Sequence, residues 1–103
     1  MELTRTVTEC GDLIVKLTGD LDALSISAIR PELEQIAEGE HPPQIIIDLE
    51  QVGFIDSSGI GAIVFLFKRL KSGGRCLTLI GARGQPKHLL ELLRIHQVIS
   101  ING

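Results

Sequence analysis

The sequence predicts an α/β fold in which a mixed, mostly parallel sheet is connected by crossover helices. The composition is that of a soluble globular protein, since 44% of the 103 residues are hydrophobic and 22% are charged. Short runs rich in β-branched residues alternate along the chain with longer segments whose apolar residues recur every three or four positions. Such an alternation is typical of parallel strands that are joined by helices. We expect one domain over residues 1–103.

The first part of the chain predicts two strands followed by a helix. Residues 3–8 and 13–18 are expected to form an antiparallel pair, because only a short polar turn separates them. The helix is predicted from the apolar residues of one face, namely Ile26, Ile29, Leu33 and Ile36. A serine oxygen can accept the free N–H groups of a first turn, so Ser25 or Ser27 is expected to cap this helix. Pro31 either kinks the helix or lies in its first turn.

The middle of the chain predicts a buried strand and a second helix. His41-Pro42-Pro43 is expected to stop the first helix, since proline lacks the backbone N–H that a helix needs. The nearly unbroken apolar run at residues 44–49 is typical of a strand that is covered on both faces. Residues 57–71 are expected to be helical, and the Ser-Gly-Gly sequence at residues 72–74 ends that helix.

The last part predicts a strand, a helix and a closing strand. Residues 75–80 are expected to form a buried strand. Gln85-Pro86 opens the last helix, because proline is favoured at the first helical position. The apolar face of this helix is expected to consist of Leu89, Leu92 and Leu93. Residues 98–101 are expected to form the final strand.

Charge and composition exclude several classes of function. The net charge of −3 and the absence of Trp and Tyr argue against nucleic-acid binding, which needs a basic surface or exposed aromatic side chains. No basic segment leads into an apolar run at the N-terminus, so we expect no signal peptide. The longest apolar stretch, at residues 60–67, is far shorter than the ~20 residues that a membrane span needs. We therefore expect a cytoplasmic protein in which Cys10 and Cys76 are free thiols.

One segment, residues 52–61, is the candidate functional site. It follows the carboxyl end of a predicted buried strand, where open α/β sheets usually bind their ligands. Asp56, Ser57 and Ser58 lie where the next helix begins, and any of them could cap it. Free backbone N–H groups and the positive end of the helix dipole make this position favourable for an anion. The two glycines that follow would allow a backbone or a phosphate to approach closely.

The residues alone leave more than one interpretation of this segment open. Asp-Ser-Ser-Gly is a good capping sequence, and a purely structural role would need nothing more. A small hydrolase or a nucleotide-binding enzyme is the rival hypothesis from another class. A hydrolase would need a G-x-S-x-G pattern and a paired histidine, but the next histidine is His88, in a predicted helix. A P-loop would need a lysine after the glycines, and none follows there.

The same segment resembles the signature of a known family. Phe-Ile-Asp-Ser-Ser-Gly-Ile-Gly at residues 54–61, preceded by Ile-Asp-Leu at residues 47–49, is similar to the signature of the STAS domain, specifically that of the anti-sigma factor antagonists of bacterial partner-switching systems. Gly-Asp-Leu-Asp at residues 19–22 is similar to the turn that follows the second strand in that family. The resemblance covers the whole chain in element order and implies a single STAS domain. Many members have a further C-terminal helix, whereas this sequence stops at Gly103, which would leave apolar surface for a partner or a second copy of the chain.

The resemblance implies a regulatory function. In that family the first serine after the aspartate, here Ser57, is phosphorylated by a serine kinase that is also the anti-sigma factor. The unphosphorylated protein would bind this kinase, which has the histidine-kinase-like ATPase fold, and phosphorylation would end binding until a serine phosphatase resets it. The role needs no catalysis by the protein itself, no cofactor, no nucleic acid and no membrane. The alternative within the same fold is a structural STAS subunit of a transporter or of a signalling scaffold, in which the serine only contributes to a cap.

The expected partner surface surrounds Ser57. On a helical wheel, one face of the second helix is expected in the core and consists of Ile60, Ile63, Val64 and Phe67. The opposite face consists of Ala62, Phe65, Leu66 and Arg69. Its two large apolar residues mean either that the helix is covered from both sides or that they form an exposed contact ridge next to Ser57, and the resemblance favours the contact ridge. With the acidic turn and the serine loop included, the expected partner-binding residues are Asp20, Asp22, Asp56, Ser57, Ser58, Gly59, Ile60, Ala62, Phe65, Leu66 and Arg69. Ser57 is expected to stand at the cap with its oxygen outward, so that phosphate enters there and not at Ser58.

The remaining charged and histidine side chains predict no additional site. The basic run Lys68, Arg69, Lys71 and Arg75 is expected to be a solvated face, because cations are favourable near a helix C-terminus. His41, His88 and His96 share no metal-ligand spacing and are expected to be surface or boundary residues. No metal, flavin or nucleotide site is therefore expected.

Overall fold

The computed structural model describes residues 1–39 and 42–102, and it confirms the predicted α/β fold. Its elements are β1 (Glu2–Val7), β2 (Leu13–Thr18), α1 (Ala23–Glu38), β3 (Gln44–Gln51), α2 (Ser57–Ser72), β4 (Cys76–Ile80), α3 (Gly84–Leu92), a 3-10 turn (Ile95–Gln97) and β5 (Ser100–Asn102). His41, which was expected to help stop α1, lies outside the described residues.

The sheet has the strand order β1-β2-β3-β4-β5. The strands β1 and β2 are antiparallel, as predicted, and every later neighbour is parallel. Each parallel connection therefore steps in the same direction across the sheet. Because such crossovers are right-handed, α1, α2 and α3 all lie on one face of the sheet.

Burial along the strands shows which face of the sheet carries the core. In β3, Ile45 and Ile47 are fully buried, whereas Ile46 between them is only half-buried. The prediction that β3 is covered on both faces is therefore wrong. Its apolar run suggested a doubly covered strand, but the sequential strand order places the three helices of residues 1–39 and 42–102 on the first face. The core lies between the other face and the three helices.

The start and the interior of α1 differ from the prediction. Asp22, and neither Ser25 nor Ser27, is the N-cap, and its carboxylate accepts a hydrogen bond from the Ser25 backbone N–H at 2.9 Å. Pro31 lies in the helix interior, well past the first turn. Both Pro31 and Ser27 are exposed. Water can therefore solvate the Ser27 carbonyl, which the proline ring leaves without a helical donor.

The apolar face of α3 was predicted wrongly. Pro86 and Leu90, one turn apart, are its buried residues, and Leu89 only packs at the edge of the core. Leu92 and Leu93, which were expected on the buried face, are exposed. Leu92 lies about 200° around the helix from Leu90 and therefore faces away from the core, and Leu93 follows the last residue of α3.

Arg75 is part of the core and not of a solvated basic face. Only 6% of its surface is exposed. Its guanidinium donates hydrogen bonds to the carbonyls of Ile36 at 2.8 Å, Gly39 at 2.6 Å and Pro42 at 2.9 Å. These carbonyls lie at and after the C-terminus of α1, where the helix has acceptors without helical donors. Burial lowers the pKa of Arg75, and the negative end of the α1 dipole favours its charge.

The two cysteines and the histidines of α3 and of the 3-10 turn lie on the surface. Cys10 and Cys76 are exposed free thiols, as predicted. His88 and His96 are exposed, which confirms their expected surface position.

Among residues 1–39 and 42–102, no helix is long and apolar enough to cross a membrane.

Replacing Arg75 tests its structural role. We expect Arg75→Met to lower the free energy of unfolding by about 2–3 kcal/mol, because the carbonyls at the end of α1 would lose a buried charged donor. Lys68→Met, at an exposed position, is the matched control and should change the stability by less than about 0.5 kcal/mol. Urea unfolding followed by circular dichroism measures both values, and equal midpoints would contradict this role.

Candidate functional site

The candidate site is built where the turn after β2 meets the loop after β3. Leu21 and Ile55 form a single parallel β-bridge outside the strands. The Leu21 backbone N–H donates to the Phe54 carbonyl at 2.8 Å, and the Leu21 carbonyl accepts from the Asp56 N–H at 3.2 Å. Because α1 starts just after Leu21 and α2 just after Asp56, the bridge brings the N-termini of the two helices together.

An aspartate caps each of these helix N-termini. The Asp56 carboxylate accepts from the Gly59 N–H at 2.9 Å, just as the Asp22 carboxylate accepts from the first turn of α1. The hydrogen bond from the Ser25 backbone N–H lowers the pKa of Asp22, because it favours the ionised carboxylate. The prediction that Ser57 stands at the cap is wrong, since Asp56 takes that position and Ser57 is the first residue of α2.

Ser57 and Ser58 are both exposed, although they lie in the first turn of α2. Neither hydroxyl is the N-cap of α2, since the Asp56 carboxylate accepts the hydrogen bond from this turn. The position combines exposed hydroxyls with the positive end of a helix dipole, which tolerates added negative charge.

Gly59 allows the close approach of the two helix starts. A Cβ atom at this position would collide with the Leu21 carbonyl oxygen and with the Ile55 side chain. The glycine is buried beneath the bridge, so its expected place on the partner surface is wrong. Gly61, two residues further along α2, is exposed and faces open space. The sequence left open whether the glycines allow a backbone or a phosphate to approach. At Gly59 it is the backbone of Leu21 that approaches.

A groove runs between α1 and α2 beside the two serines. Its volume is about 350 Å³, and it has an apolar floor with Arg30 and Glu34 on the α1 side. The residues that line it are Ala23, Ile26, Arg30, Leu33, Glu34, Ser58, Gly61, Ala62 and Phe65. Three residues of the predicted partner surface, Ser58, Ala62 and Phe65, therefore meet in one concave feature.

Only part of the predicted contact ridge is exposed. Phe65 is 41% exposed, and the Arg69 guanidinium lies over its ring at 5.6 Å from the centroid, a cation–π contact that restrains both side chains. Ala62 is half-buried at the groove. Leu66, however, is 1% exposed and belongs to the core, so its expected place on the ridge is wrong.

The buried stripe of α2 explains the error at Leu66. The stripe consists of Gly59, Ile63, Leu66 and Leu70, whereas Ile60 and Phe67 are only partly buried at its margin. Its first member is a glycine, which carries no hydrophobic side chain. A helical wheel that counts only large apolar residues therefore shifts the predicted buried stripe toward Ile60 and leaves Leu66 outside it.

The other predicted partner residues surround the paired helix starts. Asp20 is exposed, and Asp22, Asp56 and Ile60 are half-buried. The bridge between Leu21 and Ile55 accounts for this grouping, because Asp20 and Asp22 flank one end of it and Asp56 follows the other. The acidic turn and the serine loop thus lie together, as expected from the sequence.

Sequence reasoning missed two exposed apolar residues at this site. Leu24, in the first turn of α1, is 83% exposed, and Phe54, just before the bridge, is 44% exposed. A signal for both was available. Leu24 lies off the apolar stripe of α1, and Phe54 lies in a loop outside any predicted strand or helix. Together with Phe65 they give the surface around the serines an apolar character that is typical of contact sites.

A residue from α3 also enters the site and was missed. The Gln85 side chain makes two hydrogen bonds to the backbone of Ile55. Nothing in the local sequence pattern indicates this contact, because the two residues are thirty positions apart.

Within the described part of the chain, no cluster of three His, Cys, Asp or Glu side chains could hold a metal ion.

Comparison with known sequences assigns this chain to a family. The model of the STAS domain family matches residues 4–102. The anti-sigma F factor antagonist of Paenibacillus polymyxa is 25% identical over 91 residues, which are 88% of this chain and 78% of that protein. The anti-sigma-B factor antagonist of Bacillus subtilis is 29% identical over 92 residues, which are 89% of this chain and 83% of that protein.

Solved structures share the fold. A STAS domain protein from Planctomyces limnophilus has a TM-score of 0.81 at 21% identity, covering 98% of this chain and 88% of that one. The unphosphorylated anti-sigma factor antagonist SpoIIAA has a TM-score of 0.75 at 17% identity, covering 99% and 88%. A sulfate transporter family protein from Wolinella succinogenes has a TM-score of 0.75 at 20% identity, covering 92% and 76%.

Two glycines in the same helix provide an internal test of the site geometry. We expect Gly59→Ala to destabilise the protein by at least about 2 kcal/mol, because the new methyl group would meet the Leu21 carbonyl. Gly61→Ala should instead stabilise it by about 0.5–1 kcal/mol, since alanine has the higher helix propensity and the position is open. Thermal unfolding measures both effects. Equal shifts for the two variants would contradict the close approach at Gly59.

Proposed function

We propose, from the premise that this chain belongs to the STAS domain family, that it is an anti-sigma factor antagonist controlled by phosphorylation of Ser57. The names of the curated relatives support the general role. One observation carries the rest of the proposal. Ser57 is exposed in the first turn of α2, and three exposed apolar side chains lie on neighbouring segments: Leu24 in the first turn of α1, Phe54 just before the bridge, and Phe65 at the groove between α1 and α2.

The proposed partner is a serine kinase of the histidine-kinase-like ATPase fold that is also the anti-sigma factor. The unphosphorylated protein would bind it through the apolar surface and the groove between α1 and α2. Binding would occupy the kinase and release its other client, without catalysis by this chain. A serine phosphatase would restore the binding form.

Electrostatics explain how phosphate could switch binding without unfolding the protein. A phosphoserine carries about −1.5 to −2 charges at neutral pH. At Ser57 this charge would meet the positive end of the α2 dipole, which favours it in the free protein. At a closed interface the same charge would be desolvated beside the carboxylates of Asp22 and Asp56, which disfavours the complex.

Position favours Ser57 over Ser58 as the acceptor. Ser58 lines the groove between α1 and α2, which the proposed partner would fill. Ser57 is not among the residues of the groove and lies next to the cap at Asp56. Neighbouring residues of a helix point about 100° apart, so one kinase active site reaches only one of the two hydroxyls well.

The transporter alternative has less support. The Wolinella succinogenes protein shares the fold with this chain, but the fold hosts more than one role and does not choose between them. A structural subunit would need no exposed serine in the first turn of α2. A pull-down of the partner before and after addition of ATP separates the two functions, because only the antagonist changes its partner binding with ATP.

Removal of the Ser57 hydroxyl should make partner binding permanent. We expect Ser57→Ala, immobilised and incubated with extract of the source cells, to retain a kinase after ATP is added, whereas the wild-type protein releases it. The physical reason is that the variant keeps the contact surface but cannot accept the phosphate. Ser58→Ala is the matched control and should release the kinase as the wild type does. Release from Ser57→Ala would contradict the assignment.

Charge on the apolar surface should abolish partner binding without unfolding the protein. We expect Phe65→Asp to fold and to lose at least about 90% of the captured kinase, because an unpaired charge would be buried in the complex. Val98→Asp, at an exposed apolar residue outside this surface, is the control and should bind normally. Leu66→Asp should not fold, since this side chain is in the core. A folded Phe65→Asp variant with normal capture would exclude this surface.

A further inference from the structure

We propose that Gln85 is a positioning residue that holds Ser57 in the place where a kinase can phosphorylate it. The proposal rests on the proposed function. The Ile55 backbone N–H donates to Gln85 Oε1 at 2.8 Å, and Gln85 Nε2 donates to the Ile55 carbonyl at 2.8 Å. The side-chain amide thus pairs with both backbone polar groups of one residue, two positions before the serine.

The backbone of Ile55 needs such a partner. The bridge to Leu21 uses the carbonyl of Phe54 and the N–H of Asp56, so the polar groups of Ile55 face the other way. Ile55 is fully buried, and its polar groups must be paired within the protein. A primary amide accepts from an N–H and donates to a carbonyl at the same time, which the carboxylate of glutamate does not do. The side-chain amide of Gln85 therefore makes the two hydrogen bonds to Ile55 that the backbone of a neighbouring strand would make.

The position of Gln85 is itself fixed. It follows Gly84, whose φ of +61° is in the left-handed region, and it precedes the buried Pro86. Earlier in the same connection, Gly81 has a φ of +73° and packs so closely on β3 that a Cβ atom would lie 3.1 Å from the Glu50 backbone nitrogen. The connection that leads into α3 thus packs on the end of β3, and the glutamine reaches Ile55 from there.

The consequence for the serine is direct. Phe54, Ile55 and Asp56 are held on one side by Leu21 and on the other by Gln85. Asp56 caps α2, and Ser57 is the next residue, so a shift of this segment moves the hydroxyl. Displacement of a reacting group by about 1 Å can cost about 100-fold in rate. The contact surface at Phe65 lies two turns further along α2, so partner binding should depend much less on Gln85.

Kinetics of Ser57 phosphorylation test this role, with the kinase isolated from source-cell extract on the immobilised wild-type protein. We expect Gln85→Leu to lower kcat at least about tenfold while KM changes by less than about threefold. Gln85→Glu should have an intermediate kcat, because the carboxylate keeps the acceptor and loses the donor. Gln97→Leu, at an exposed glutamine, is the matched control and should match the wild type. In Gln85→Leu the Ile55 amide should also exchange its hydrogen faster.

The outcomes separate this inference from the proposed function. If the wild-type protein accepts no phosphate at Ser57, the proposed function fails and this inference fails with it. If the wild type is phosphorylated and folded Gln85→Leu has the same kcat, only the role of Gln85 is overturned. Should Gln85→Leu not fold, Gln85→Glu decides, and a wild-type kcat in that variant would overturn the role. A lower kcat at unchanged KM supports it, since a merely destabilised chain would not show that split.

Discussion

The close approach of α2 to the turn after β2 is the constraint on which the candidate site depends. Gly59 lies beneath the Leu21 carbonyl, and no larger residue fits there without a shift of backbone. The same carbonyl accepts from Asp56, so one peptide group sets both the distance between the segments and their register. Two helices consequently begin side by side, each capped by an aspartate. Ser57 is exposed at this junction because the cap is made by its neighbour and its own side chain is not needed for packing.

The buried face of α2 and its exposed face carry different residues. Leu66 packs on the sheet, whereas Phe65, the adjacent residue, is exposed beside the groove between α1 and α2. All three helices lie on one face of the sheet, and the opposite face has no helix among the described residues. A phosphate at Ser57 would therefore change the outer side of α2 and leave the buried side untouched. That separation is what a binding switch requires, because the charge must oppose a partner without unfolding the protein that carries it.

Periodicity predicted the elements well, and long-range contacts account for most of what it missed. The strands and helices follow from local apolar patterns, and the motif around Ser57 indicated the family and a candidate site. Arg75, by contrast, was expected in solvent, but it bonds to carbonyls more than thirty residues earlier in the chain. Gln85 is equally distant in sequence from Ile55. The stripe of α2 was misplaced because a glycine opens it. Local patterns contain no information on which distant backbone groups will need a partner, and here two polar side chains meet that need.

Phosphate mapping on the protein recovered from its own cells tests the central claim most directly. Intact-mass spectrometry followed by fragmentation of the peptide that spans residues 54–68 measures how much phosphate is present and where it is. We expect a fraction of molecules with a single phosphate, located on Ser57, and a fraction with none. Phosphate on Ser58, or an unmodified Ser57 under every growth condition, would contradict control by phosphorylation of Ser57.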